Sequence, residues 1–65
     1  MVIKTKIFFT EGKKESSNDF EFTLNKNMPI QRHENPERCI IFLHGNPYTI
    51  NEPFNRIKKL KENIS

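Results

Sequence analysis

The sequence predicts a small α+β domain: a three-stranded, largely antiparallel sheet in β-β-β-α order, with one C-terminal amphipathic helix packed on a face. Two early segments alternate apolar and polar residues. A third segment is apolar at consecutive positions and stops at His-Gly-Asn-Pro. After that the apolar spacing changes from two to three and four, the step from strand to helix.

The first strand is VIKTKIFFT. Ile3, Ile7 and Phe9 share one face with Thr5, while Val2, Lys4, Lys6 and Phe8 share the other. Its lysines discourage edge-to-edge pairing. EGKKESSN, residues 11–18, follows. Its Gly, Ser and Asn content reads as a mobile loop too long for a two-residue turn. DFEFTLN is the next strand, with Phe20, Phe22 and Leu24 on its dry side. Asp19 and Glu21 on the wet side can lie opposite Lys4 and Lys6 in an antiparallel pair, worth about 0.2–1 kcal/mol per pair.

Residues 26–38, KNMPIQRHENPER, are polar and carry two prolines. Residues before proline avoid the helical region, so an irregular connection is expected, with a short extended piece around Ile30. CIIFLH is apolar on both faces, which marks a central strand. GNP then breaks it and hands the chain to the helix. Phe54, Ile57, Leu60 and Ile64 form one helical face. Asn51 is the expected N-cap, with Glu52 and Arg56 an i,i+4 ion pair.

At 65 residues the chain is a single domain, residues 1–65. A domain this size buries only about 60% of the surface its unfolded chain exposes. Such domains lean on disulfides, metals or partners. Cys39 is the only cysteine, so no internal disulfide can form. No two of His33, Cys39 and His44 stand at a recognised ligand spacing, so neither metal nor cofactor is expected. The second face of the central strand has no element left to cover it, which points to a protein partner or self-association. The net charge of +3 arises wholly after residue 53. A lone cysteine on an apolar strand suits a reducing compartment. With lysines interrupting the first apolar run and no stretch long enough to span a bilayer, a cytoplasmic protein without a membrane partner is expected.

At Ile40-Ile41-Phe42-Leu43-His44-Gly45-Asn46-Pro47 the sequence resembles the α/β-hydrolase family, most closely its haloalkane dehalogenase-like and epoxide hydrolase-like members. The resemblance covers residues 38–60, with Phe54 near the family's early helical aromatic. It implies an oxyanion-hole N–H at Asn46, whose side chain would hold halide in dehalogenase-like members. A nucleophile elbow of the G-x-S-x-G kind is missing, and the triad's acid and histidine would lie beyond residue 65. The segment therefore reads as convergence on a strand-and-turn or, alternatively, as an inactive amino-terminal hydrolase fragment.

No other residue set supplies catalysis. His44 reads as a strand-end histidine, His33-Glu34 as a solvated pair, and Cys39 as a small core residue. Arg56, Lys58, Lys59 and Lys61 form a basic helix surface able to meet phosphates, with Tyr48 the one aromatic free to stack on a base. The leading expectation is a small non-enzymatic binding protein of the regulator or inhibitor type, like those encoded by phages and other mobile elements, acting by protein–protein interaction. A nucleic-acid-binding module using the basic helix is the alternative.

Overall fold

The computed structural model describes residues 1–64. The chain runs β1 (Val2–Glu11), β2 (Lys14–Thr23), β3 (Ile30–Arg32), β4 (Cys39–Leu43), β5 (Asn46–Ile50) and α1 (Phe54–Glu62). These strands join in one antiparallel sheet in the order β2-β1-β5-β4-β3. The C-terminal helix is present, but the expected fold is overturned: the sheet has five strands, not three, and the chain is mostly sheet with one short helix.

The additional strands have local causes. Gly12 adopts φ +62 and closes β1 onto β2 with Glu11 opposite Lys14. Glycine first in a two-residue turn matches the strands' twist, so the expected loop at 11–18 is instead a tight hairpin. The predicted charge register is present, with Lys4 opposite Glu21 and Lys6 opposite Asp19. At His44-Gly45 the φ values are 53 and 82. Two left-handed central residues make the type I′ pattern. The chain therefore reverses at His-Gly into β5 before it reaches the helix. CIIFL is consequently the second strand from the β3 edge, and β5 takes the middle. The short piece at Ile30 is β3, held against β4 through Ile30–Ile41 and Arg32–Cys39.

Ile3, Phe22, Leu24, Met28, Cys39, Ile41, Ile50 and Ile57 form the core. Phe54, Leu60 and Ile64 pack beside Ile57, so the predicted helix face is the buried one. The helix starts differently from expectation. Pro53 is the N-cap and makes no side-chain cap bond. Asn51 instead donates its backbone N–H to the Lys6 carbonyl (2.9 Å), continuing the sheet. Glu52 and Arg56 do pair, at 3.5 Å.

Only Ile7–Ile50 and Phe8–Thr49 register β1 against β5. Prolines limit this seam. Alternation of the ladder assigns positions 47, 49, 51 and 53 as donors towards β1. Pro47 and Pro53 have no N–H to donate. The ladder is thus confined between them.

Candidate functional site

The sheet's twist brings opposite corners together on opposite faces. On the helix side, β2 curls onto β5, and the Phe20 ring stacks on Tyr48 with centroids 5.7 Å apart. Tyr48 is thereby half-buried against the core, with its ring face taken up by Phe20.

On the helix-free face the other end of β2 approaches the start of β4. The Arg38 guanidinium lies 3.7 Å from the centre of the Phe8 ring. It also donates two hydrogen bonds to the Glu15 carboxylate, at 2.9 and 3.1 Å. This fork holds the Glu15 carboxyl below its ordinary range, through the hydrogen bonds first and charge second. Beside it, Ile40 and Phe42 from β4 are half-buried, with Thr49 and Pro47 opposite them on β5. None of these residues belongs to the core cluster.

The four helix cations have different surroundings. Lys58 and Lys61 line an open groove with Lys26 from the β2–β3 connection, over Ile30, Phe54 and Ile64. The Lys61 amine also donates to the Met28 carbonyl, tying the helix to that connection. Arg56 is engaged by Glu52, and Lys59 is exposed outside the groove. Lys26 joins the site from a distant stretch of chain, and no periodicity in the sequence signals it.

Burial removes Cys39 from chemistry. Its side chain is fully enclosed, and desolvation pushes its thiol pKa up to about 11. A thiol without thiolate is a poor nucleophile and a poor ligand. His44 is exposed on the β4–β5 turn, and Asn46 opens β5 opposite Leu43. Among the described residues, no three His, Cys, Asp or Glu side chains gather as a metal site, and no helix is long and apolar enough to cross a membrane. The chain matches no protein-family model, no curated protein and no solved structure.

Proposed function

We propose that this chain is a small non-enzymatic binding protein that docks a protein partner on the helix-free face of its sheet. The supporting observation is one-sidedness. α1 and the β2–β3 connection pack on one face, while the other carries Phe8, Ile40 and Phe42 near the centre of the sheet. Apolar side chains gathered on an uncovered face, rimmed by Arg38, Glu15 and the Lys6–Asp19 pair, have the anatomy of an interface core and its polar rim. A regulator or inhibitor needs no more than such a surface.

Phe42→Asp tests this reading, because it alters the face without entering the core. Crosslinking and affinity capture should recover a specific partner with the wild type and lose it with the variant. Capture unaffected by Phe42→Asp would overturn the face as the docking surface. A salt-insensitive dimer in light scattering, abolished by the variant, would identify the occupant as a second copy.

A second reading, nucleic-acid binding, draws support from the groove of Lys26, Lys58 and Lys61. Removing one cation that meets a phosphate should reduce the salt dependence of binding by about one unit of slope. Lys26→Ala and Lys58→Ala should each do so, with a smaller effect from Lys59→Ala outside the groove. Salt-independent binding would remove this reading.

A further inference from the structure

The two edges of the sheet are finished differently. β3 is three residues long, lies between Pro29 and Pro36, and is packed by α1. β2 is ten residues long, contains no proline, and keeps an unbroken register with β1 from Thr23 to Lys14. Natural sheets shorten, bulge, cover or charge such an edge. This one is regular and uncovered, and only its charged side chains guard it.

Its hydrogen-bonding positions follow from two observations. The turn closes at Glu11–Lys14, and the Leu24 N–H donates to the Met1 carbonyl (2.7 Å). Antiparallel ladders alternate, so the even positions of β2 bond to β1. The N–H and C=O groups of Glu15, Ser17, Asp19, Glu21 and Thr23 therefore point outward. The side chains of those same residues all stand on the helix-free face, and three of them are acidic. Lys4 and Lys6 form a basic row immediately inside them.

In the central registers, which give the longest overlap, that acidic row opposes a second copy. Two β2 strands related by a twofold axis run antiparallel with matching faces. Centring the axis on Ser17 sets Glu15 against Asp19. On Asn18 it sets Glu15 against Glu21. On Asp19 it sets that carboxylate against its own copy, and on Phe20 it sets Asp19 against Glu21. Like charges directly opposite one another are destabilising. A strand with cations at alternate positions meets the opposite situation. It would extend the order of rows from acidic, basic to basic, acidic, basic.

We propose that the outer edge of β2 takes up an extended segment of a partner protein that carries Lys or Arg at every second position. Its backbone would pair with the outward groups of residues 15–23, and its cations would face Glu21 and Asp19, sharing Asp19 with Lys6, while Glu15 stays in the Arg38 fork. The site lies beyond the apolar face proposed above and is scored on different amides.

The experiment uses isotope-labelled full-length protein and an end-capped synthetic peptide alternating lysine with threonine, long enough to span residues 15–23. A matched peptide with glutamate for lysine is the control. The lysine peptide should shift and protect the backbone amides of Glu15, Ser17, Asp19 and Glu21, leaving those of Phe8, Ile40 and Phe42 unmoved. The glutamate peptide should do neither. Reversing Asp19 and Glu21 to lysine should weaken the lysine peptide by about fivefold or more. Ser17→Pro, which removes an outward N–H and no bond to β1, should abolish protection. Equal effects from both peptides, or protection that misses the outward amides, would overturn the proposal. The peptide comparison needs only the wild type and stands even if a variant fails to fold.

Discussion

The β4–β5 hairpin and the β1–β2 hairpin each turn on two residues, yet they contribute opposite things. The first inserts into the sheet with a neighbour on either side, and its Cys39, Ile41 and Ile50 are completely buried. The second donates only Ile3 and Phe22 to the core and leaves a full strand edge in solvent. Stability is concentrated in one hairpin and available surface in the other. The difference follows from composition: β4 is apolar on both faces, whereas β2 alternates Phe20 and Phe22 with Asp19 and Glu21.

Truncating the helix side chain that clusters with Cys39, Ile41 and Ile50 of the buried hairpin should break this contrast most severely. Ile57→Ala should cost about 2–5 kcal/mol. The total stability of a domain this size is about 3–10 kcal/mol. Circular dichroism should therefore show a large fall in melting temperature or loss of the cooperative transition. Cys39 reports the same event chemically. Its raised pKa means the neutral thiol is favoured in the folded chain, so burial of that thiol adds no penalty until pH rises past the unfolded thiol's value. Alkylation at pH 8 should be slow in the wild type and fast in Ile57→Ala.

The next effect concerns the guarded edge. Replacing Glu15, Asp19 and Glu21 by their amides removes the like-charge opposition at β2. Light scattering should then detect a concentration-dependent dimer that the wild type does not form through this edge.

Arg38 joins the two regions, and its loss should register as a titration change. In Arg38→Gln the Glu15 carboxyl should return upward toward its ordinary value, followed by NMR of its side-chain carbon. The sign is set by the lowered folded value. The Arg38–Glu15 pair contributes above the unfolded carboxyl's pKa and is lost as pH falls through the folded one. A wild-type midpoint equal to that of the variant would show that the fork does not persist in solution.

The smallest effect belongs to the β4–β5 turn. Asparagine tolerates the left-handed region better than histidine does, so His44→Asn should raise stability by about 0.5 kcal/mol. A urea midpoint would measure it. No gain would mean that histidine's backbone is unstrained at that turn.

Much of this architecture is legible in the residues. Alternation identifies the faces of β1 and β2 and the pairing of Lys4 and Lys6 with Glu21 and Asp19. The three-four spacing identifies the buried side of α1. β5 is hidden because NPYTI begins with Asn-Pro and follows His-Gly, a weaker hairpin signal than Asn-Gly. Read as the exit to the helix, it leaves CIIFL in the centre by default. The first half of β2 is hidden because Ser-Ser-Asn has loop composition, and only the regular register with β1 makes it a strand. For the candidate surfaces, the helix cations are visible in sequence but their division is not. Glu52 withdraws Arg56 locally, while Lys26 enters through tertiary packing. Tyr48 is the available aromatic by elimination, and the twist that delivers Phe20 to it has no signature in a linear pattern.

The seam between Pro47 and Pro53 also shapes how the chain assembles. Each hairpin closes between near neighbours in sequence, an event of about 1–10 μs. Joining them requires Ile7 to find Ile50 across most of the chain, with a brief ladder as the immediate return. Closing a long loop before many contacts form is what slows folding. The expected late event is the meeting of the two hairpins, so substitutions at Ile7 or Ile50 should slow refolding more than equally destabilising ones at Phe22, as stopped-flow refolding would show.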